Sequence, residues 1–290
     1  MILSIGEILA DIVNVSGQDY KVNLGGAPFN MAVSAKNNGA KVGFIGAVGK
    51  DVVGRELNAQ AKLYGLDYLN LQSLNSNTTL AFVTLNNGER DFSFFRDNTA
   101  DFKIDYKDIN LSTFKDLSIL HLGSLMLSES LGQKAFKNLV KKAKKIGVKI
   151  SFDVNLRDIF KSIQQTKKAY SYALNNCDII KLSQEELEFF TGEGDLIVAI
   201  NSFARQNVLY VVTQGENGSL CYYNGKAYSC PSVKVSPIDT TGAGDAFYGA
   251  FLAEIENKEY TEQVLTSALK KANKVGAEAT LYYGALVKKD

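Results

Sequence analysis

Residues 239 to 251 read Asp239-Thr-Thr-Gly-Ala-Gly-Asp245-Ala-Phe-Tyr-Gly-Ala-Phe251, and this stretch gives the strongest indication of both fold and chemistry. Gly242 and Gly244 flank one small residue at the point where an apolar helix is predicted to begin. Such a turn exposes consecutive backbone N–H groups at a helix N-terminus, which suits a phosphate or a developing anion. We interpret Asp245, in the first helical turn, as a base that takes a proton from an attacking hydroxyl group. The alternative is a helix-start acid that the helix dipole stabilises.

Apolar and amphipathic segments alternate through the middle and C-terminal parts of the chain. This spacing predicts a largely parallel sheet that is covered by helices on both faces. An earlier unit of the same kind is the helical Asn30–Asn38 followed by Gly43–Val48. The other predicted strands are Ile119–Leu122, Val148–Asp153, Ile179–Leu182 and Leu209–Thr213, and the predicted helices are Ser130–Ile146, Thr166–Asn176 and Glu185–Thr191.

Two segments, Ile8–Asn23 and Asn77–Arg96, depart from this alternation. The second places Asn86-Asn87-Gly88 between the runs Leu80–Leu85 and Arg90–Phe95. An Asn-Gly pair between two alternating runs is a strong hairpin signal, and no predicted helix is available to cover these strands. We therefore expect a small separate β-sheet lid inserted in an α/β body. We assign residues 11–23 and 77–100 to the lid and residues 1–10, 24–76 and 101–290 to the body.

The composition narrows the classes of function. With 32 Lys and Arg against 31 Asp and Glu, the net charge of +1 argues against nucleic acid as a partner. The single histidine, His121, argues against a His-based triad or a His-rich metal site. Three scattered cysteines do not make a disulfide framework, so we expect a cytoplasmic protein. We also expect no signal peptide and no membrane span, because the start lacks a basic segment and no 18-residue apolar window occurs.

Other nucleotide-binding motifs do not fit. A Walker loop requires Gly-Lys followed by Ser or Thr, whereas Gly49-Lys50 is followed by Asp51. No Gly-x-Gly-x-x-Gly follows a predicted strand, so the fingerprint of a dinucleotide-binding fold is also missing from the sequence.

A second glycine-rich region resembles a known family when it is combined with Asp239–Phe251. It contains Gly25-Gly-Ala-Pro-Phe-Asn30 and continues through Val42-Gly-Phe-Ile-Gly-Ala-Val-Gly-Lys-Asp51. Together the two regions resemble the paired signatures of the ribokinase-like (PfkB) family of carbohydrate kinases, and the likeness runs from Ile5 to about Gly284. Within the family, Gly6–Asp11, Gly25–Pro28 and Asp153–Arg157 look most like bacterial fructokinases. The resemblance implies a three-layer α/β/α body with a mostly parallel central sheet and a small β-sheet lid.

The resemblance also implies roles for individual residues in sugar binding and phosphoryl transfer. Asp245 matches the catalytic base, and Gly242, Ala243 and Gly244 match the backbone anion hole. Asp11, Gly25, Gly26 and Asn30 match sugar-binding positions. Arg157 and Arg96 match positions that face the active cleft, where Arg157 would neutralise phosphate and Arg96 would touch substrate from the lid. The alternative for both arginines is a solvated surface side chain.

Nucleotide and metal sites are implied in the same way. Glu186 matches the acid of an Asn-x-x-Glu motif that organises Mg²⁺ through water, although Ser183 stands where the family usually has Asn. Nucleotide-binding positions are matched by Lys181, Thr213, Gly215, Gly218, Gly242, Gly244, Asn273 and Ala277. A K⁺ site is matched by Asp239 together with the backbone carbonyls of Thr241, Ala279, Tyr282 and Gly284. The alternative for Asp239 is that its side chain only fixes its own turn.

These observations predict an ATP-dependent kinase that phosphorylates a primary hydroxyl group of a monosaccharide, with fructose as the expected substrate. The alternatives are a 2-keto-3-deoxygluconate kinase and, in a different class, a non-catalytic sugar-binding regulator on the same fold. The expected cofactors are ATP and Mg²⁺, with K⁺ as a further candidate. We expect a homodimer formed through the lid, because exposed sheet edges and apolar faces need cover.

Overall fold

The computed structural model describes residues 1–16, 18–86, 89–157 and 162–286. The strands are β1 Ile2–Ile5, β2 Leu9–Ser16, β3 Asp19–Gly25, β4 Val42–Gly49, β5 Tyr68–Leu74, β6 Leu80–Asn86, β7 Glu89–Phe95, β8 Ile119–Leu122, β9 Lys149–Asp153, β10 Ile179–Ser183, β11 Leu209–Thr213, β12 Ser219–Tyr223 and β13 Lys226–Cys230. The helices are α1 Ala27–Asn37, α2 Val52–Lys62, α3 Ser130–Lys145, α4 Ile163–Asn176, α5 Gln184–Thr191, α6 Leu196–Phe203, α7 Ala243–Ile255 and α8 Glu262–Ala279.

The body is built on a nine-stranded sheet in the order β13-β12-β11-β10-β9-β8-β1-β4-β5. Neighbouring strands from β11 to β5 run parallel, and β12 and β13 are added antiparallel at one edge. Strands such as β1 and β8 are buried along their whole length, which is typical of parallel strands covered on both faces.

Helices cover the two faces of this sheet. One core cluster joins Leu3 and Ile5 of β1 to buried side chains of α3, α4, α5 and α6. The other joins Ile2 of the same strand to buried side chains of α1, α2, α7 and α8. Because alternate residues of one strand point to opposite faces, the two clusters are separate layers. The body therefore has the predicted three-layer α/β/α architecture.

A second sheet has four strands in the order β3-β2-β6-β7, and we call it the lid. Leu9 and Ala81 on one face of the lid pack with Phe94 and with Leu125 of the body. This contact places that face over the carboxyl ends of β1 and β8, where the functional site lies.

The predicted strand and helix alternation is confirmed, and so is the separate small sheet. The antiparallel edge strands β12 and β13 were not predicted, since β13 is mostly exposed and has no buried apolar run. The Asn87-Gly88 turn lies outside the described residues, and the division of the chain into body and lid segments stays a prediction. None of the helices in the described ranges is long and apolar enough to cross a lipid bilayer.

A short polar chain lies beneath the N-terminal half of α7. Tyr248 forms a hydroxyl–hydroxyl hydrogen bond of 2.6 Å with Ser151, and Ser151 lies 3.1 Å from Nδ1 of His121. Burial lowers the pKa of His121 to about 3, with Lys181 contributing, so the ring is neutral. Ser151 therefore connects Tyr248 to His121, and His121 does not line the site described below.

Candidate active site

Two cavities meet at the start of α7. The first, of about 670 Å³, lies between the lid and the body, and the second, of about 740 Å³, lies between α7, α8 and the segment that follows β13. Gly244, Thr240 and Pro237 line both cavities. A group bound in one cavity is thus next to a group bound in the other, and the predicted anion-binding turn stands between them.

Backbone geometry at Gly242 shapes this turn. Gly242 precedes α7 with φ of 73°, in the left-handed region, and a Cβ atom added there would lie 2.5 Å from the Cβ of Ala285. A larger residue at this position would be strained and would also collide with its neighbour. With glycine, the chain turns directly into α7, and the first N–H groups of that helix point toward the cavities.

Asp245 lies in the first turn of α7 and lines the first cavity. Its Oδ2 accepts a hydrogen bond of 2.8 Å from Nδ2 of Asn30, which fixes the carboxylate. Burial raises the pKa of Asp245, opposed by the Asn30 hydrogen bond and by the positive charges of Lys181 and Arg157. A fixed carboxylate with a raised pKa is suited to accept a proton from a bound hydroxyl group.

A buried ion pair supports the turn from below. Nζ of Lys181 lies 2.9 Å from Oδ2 of Asp153, and both side chains are about nine-tenths buried, at 8% exposure each. A Cβ atom at Gly244 would lie 3.2 Å from the Lys181 Nζ, so the ammonium group is next to the anion-binding turn. Burial alone would lower the pKa of Lys181, but the carboxylates of Asp153, Glu186 and Asp245 outweigh it and raise that pKa. Lys181 therefore keeps its charge.

Of the residues predicted to bind the sugar, three line the wall of the first cavity together: Asp11, Gly26 and Asn30. Gly25 stands beside Asp11, and a Cβ atom there would lie 2.1 Å from the Asp11 Oδ2. Gly26 has φ of 115°, and a Cβ atom there would lie 2.4 Å from the carbonyl oxygen of Glu7. Because Gly25 and Gly26 have no side chains, the backbone can lie close to the Asp11 carboxylate and to the Glu7 carbonyl group. A methyl group at either glycine would collide with these neighbours.

The two predicted arginines have different positions. Arg157 lines the first cavity opposite Asp245, as the resemblance implies. Arg96 instead forms an ion pair with the buried Asp101 and donates a hydrogen bond of 2.6 Å to Ser128. Arg96 is not among the described residues that line the first cavity, so a sugar contact from it would require this ion pair to open.

Glu186 closes a capping box at the start of α5. Its Oε2 accepts from the Ser183 N–H at 2.7 Å, and its Oε1 accepts from the Leu156 N–H at 2.6 Å. Because Ser is as effective as Asn at an N-cap, Ser183 preserves the local geometry where the family usually has Asn. The Glu186 carboxylate raises the pKa of Lys181, and the charge of Asp153 adds to burial in raising the pKa of Glu186, although Glu186 does not line either cavity.

The second cavity contains most of the predicted nucleotide positions. Its lining includes Thr213, Gly215, Gly218, Ala243, Gly244, Asn273 and Ala277. The Asn273 amide donates to the carbonyl oxygens of Cys230 and Pro231, so it holds the wall of the cavity in place. Lys181 and Gly242 line the first cavity, on the other side of the turn.

Asp239 joins the turn to the end of the chain. Its Oδ1 accepts from the Thr241 N–H and its Oδ2 accepts from the Gly284 N–H, each at 2.8 Å. Asp239 therefore holds the predicted K⁺ positions Thr241 and Gly284 together. Ala279 is the last residue of α8, and Tyr282 lies between that helix and Gly284 along the chain. The Thr241 hydroxyl oxygen is buried without a hydrogen-bond partner in the described part of the chain.

Sequence reasoning missed two acids. Asp153 and Glu7 were quoted within motifs but were given no role, although Asp153 holds Lys181 and Glu7 lines the first cavity. Each has one buried carboxylate oxygen without a hydrogen-bond partner among the residues that the structure describes. Their positions in motifs at the carboxyl ends of strands were the available signal.

A three-layer α/β fold with an anion-binding turn and an adjacent fixed carboxylate between two cavities defines a phosphotransferase that acts on an alcohol group. Residues 1–289 match the pfkB family carbohydrate kinase, and the chain belongs to this family.

Similar proteins agree with this assignment. Fructokinase-1 of Oryza sativa subsp. japonica is 33% identical over 99% of this chain and 93% of its own length. Fructokinase from Vibrio cholerae O395, solved in a fructose, ADP and calcium ion bound form, has a TM-score of 0.88 at 31% identity over 98% of this chain and 94% of that chain. A putative ribokinase II from E. coli, solved with ATP and Mg²⁺, has a TM-score of 0.84 at 28% identity over 98% of this chain and 94% of that chain.

The buried pair generates a prediction about stability. We expect Lys181→Met to lower the free energy of unfolding by about 3–5 kcal/mol, because it leaves the buried Asp153 carboxylate without its partner. Adding Asp153→Asn should recover part of that loss. Urea unfolding of both single variants and the double variant measures the coupling between the two positions.

The control is Lys258→Met, which removes an exposed pair with Glu254 and should cost less than about 1 kcal/mol. Strictly additive losses at positions 181 and 153 would show that the ion pair is not coupled.

Proposed function

We propose that this protein transfers the γ-phosphoryl group of ATP to a primary hydroxyl group of fructose. One observation carries the proposal: the two cavities share Gly244, and Asp245 lines the first of them. Sugar in the first cavity and nucleotide in the second would place acceptor and donor on the two sides of the anion-binding turn. The fructokinase relatives, one of them solved with fructose and ADP, support this choice of substrates.

In the proposed reaction, Asp245 accepts the proton of the sugar hydroxyl group as the new oxygen–phosphorus bond forms. The N–H groups of Gly242, Ala243 and Gly244 stabilise the negative charge on the transferred group, and Lys181 and Arg157 add positive charge beside it. Asn30 keeps the Asp245 carboxylate oriented toward the hydroxyl group. The lid excludes water, which would otherwise accept the phosphoryl group in place of the sugar.

The polar groups of the first cavity favour an uncharged sugar. Asp11, Asn30 and Glu7 line its sugar side, and these groups suit the vicinal hydroxyl groups of a monosaccharide. A sugar acid would need a cationic clamp. Arg157 and Lys181 are the cations that line this cavity in the described ranges, and Lys181 is paired with Asp153. Arg96 is held by Asp101. Fructose therefore fits better than 2-keto-3-deoxygluconate.

A substrate panel tests this proposal. We expect fructose to give the highest kcat/KM among fructose, 2-keto-3-deoxygluconate, ribose and nucleosides, measured by coupled detection of ADP and by mass analysis of the product. A preference of tenfold or more for the keto acid would overturn the fructose assignment and leave the kinase class intact. If no acceptor in the panel leads to ADP formation, the result would favour a non-catalytic sugar-binding regulator.

Replacing the proposed base separates chemistry from binding. Asp245→Asn is nearly isosteric and can still bond to Asn30, but it cannot take up the proton. We expect kcat to fall by about 10²–10⁴, the usual loss for a general base, with the dissociation constant for fructose changed only a few-fold.

Glu254→Gln is the matched control, because it alters a carboxylate at the opposite end of the same helix. Calorimetry for binding and a coupled assay for rate should be run on the same preparations. An Asp245→Asn enzyme with more than a tenth of the normal kcat would mean that Asp245 is structural.

Mg²⁺ is the metal that we propose for the reaction. The chemistry of the available donors fits it, since one Asp153 carboxylate oxygen has no hydrogen-bond partner among the described residues. Glu186 carries oxygens suited to water ligands of a hard cation. When bound, the ion would neutralise phosphate charge. The E. coli relative solved with ATP and Mg²⁺ supports this choice.

We further propose that K⁺ binds behind the turn, at Asp239 and the carbonyl groups of Thr241, Ala279, Tyr282 and Gly284. The buried Thr241 hydroxyl group, which has no hydrogen-bond partner within the described ranges, supports a cation there. A Vibrio cholerae fructokinase double mutant solved with potassium ion supports it as well. Such an ion would rigidify the turn without touching substrate. We expect a higher rate in potassium than in a bulky organic cation, and equal rates in potassium, sodium and that cation would remove the proposal.

The outer face of the lid supports the proposed homodimer. Tyr20, Val22 and Phe95 are 52%, 45% and 60% exposed, and the Phe82 ring connects Tyr20 to Phe95 at centroid distances of 5.9 and 5.2 Å. An exposed apolar patch of this kind suits a second copy of the chain.

Because the three cysteines are free thiols, we also propose that the protein is cytoplasmic.

Sedimentation measures the association. We expect the protein to sediment as a dimer and Phe95→Asp to shift it to a monomer. Val52→Asp is the control, since Val52 is 72% exposed on α2, outside the lid. A monomeric unsubstituted protein would contradict the proposal.

A further inference from the structure

Glu7 is a buried acid on the wall of the sugar cavity. It follows β1 closely, lines the first cavity and is 4% exposed. Its Oε2 is buried and has no hydrogen-bond partner among the described residues. A buried carboxyl oxygen without a partner costs free energy, so its presence in a native protein requires an explanation.

The space around this carboxyl group is shaped by glycine. A Cβ atom at Gly123 would lie 2.4 Å from the Glu7 Oε2, so any other residue there would displace the carboxyl group. A Cβ atom at Gly6 would lie 2.6 Å from Cγ of Pro28, next to the same carboxyl group. Ser124 and Asn30 line the cavity beside it. Glycine at position 123 thus leaves room for one buried acid at the cavity wall, and glycine at position 6 leaves room for the Pro28 ring.

We propose, on the basis of the function proposed above, that the Glu7 carboxyl group hydrogen-bonds a hydroxyl group of the bound monosaccharide and helps to determine which sugar the cavity accepts. A sugar hydroxyl group supplies both a donor and an acceptor, and the Glu7 Oε2 has neither among the described residues. A sugar without that hydroxyl group leaves this buried oxygen without a partner and binds more weakly.

The protonation state of Glu7 adds a second readout. Burial raises the pKa of Glu7 to about 7; its own backbone N–H and Arg96 oppose the shift, and the charges of Asp101 and Asp245 add to it. Below this pH the neutral carboxyl group donates a hydrogen bond to the sugar. Above it the ionised group loses that proton, and an uncharged sugar would have to cover a desolvated charge. Fructose should therefore bind more tightly at pH 6 than at pH 8.

Two variants test the proposal through the dissociation constant for fructose, measured by calorimetry without nucleotide. We expect Glu7→Leu to weaken binding by about 5–100-fold, the loss for an unmade hydrogen bond in a buried site. Glu7→Gln keeps a donor and an acceptor, so it should bind fructose within a few-fold of normal at pH 6 and lose the difference between pH 6 and pH 8. Glu256→Gln, at a partly buried acid whose side chain is 12% exposed and which lies outside the cavity lining, is the control and should change neither value.

Singly deoxygenated fructoses identify the contact. One of them should bind the normal protein more weakly than fructose and show no further loss on Glu7→Leu. If Glu7→Leu fails to fold in a thermal melt, the pH dependence of Glu7→Gln and the deoxyfructose series still decide the matter.

The two proposals fail in different ways. A normal protein that neither binds nor phosphorylates fructose overturns the proposed function. A normal protein that phosphorylates fructose, with Glu7→Leu binding it within about threefold or with Glu7→Gln keeping the full pH dependence, overturns only the role of Glu7.

Discussion

The left-handed turn at Gly242 is held from three sides. Ala285 closes it so tightly that a Cβ atom would not fit, Asp239 binds the Thr241 N–H behind it, and Lys181 lies next to Gly244 below it. Ala285 and Lys181 come from distant parts of the chain, so these two contacts require the folded body. The geometry of the turn then decides where α7 begins, where Asp245 points and where the two cavities meet.

The electric field around this turn is determined mainly by one buried cation, Lys181, and the several acids near it. Lys181 is shared by Asp153, Glu186 and Asp245, and burial raises the pKa of each of these acids. One ammonium group cannot satisfy three carboxylates at low dielectric. The magnesium ion that we propose would offset the excess negative charge, which would otherwise oppose the binding of a phosphate group. Burial raises the pKa of Asp245 despite the nearby positive charges of Lys181 and Arg157, and this gives its carboxylate increased basicity.

The parts of the site that depend on local backbone geometry could be predicted from the sequence. Two glycines at a helix start and an acid in the first turn can be recognised together, because anion binding requires neighbouring N–H groups. The roles of Glu7 and Asp153 could not be predicted, since each depends on a partner far along the chain: Gly123 makes room for Glu7, and Lys181 pairs with Asp153. Arg96 is the opposite case. The resemblance implied that its side chain touches substrate, whereas in the structure the side chain forms an ion pair with Asp101.

Direct transfer between the two cavities is the central claim, and the stereochemistry at phosphorus tests it most directly. ATP made isotopically chiral at the γ-phosphorus would be used to phosphorylate fructose, and the configuration of the sugar phosphate would be determined. A single in-line displacement across the turn predicts inversion. Retention would show that the phosphoryl group passes through a covalent protein intermediate, and it would contradict the account in which Asp245 acts only on the proton.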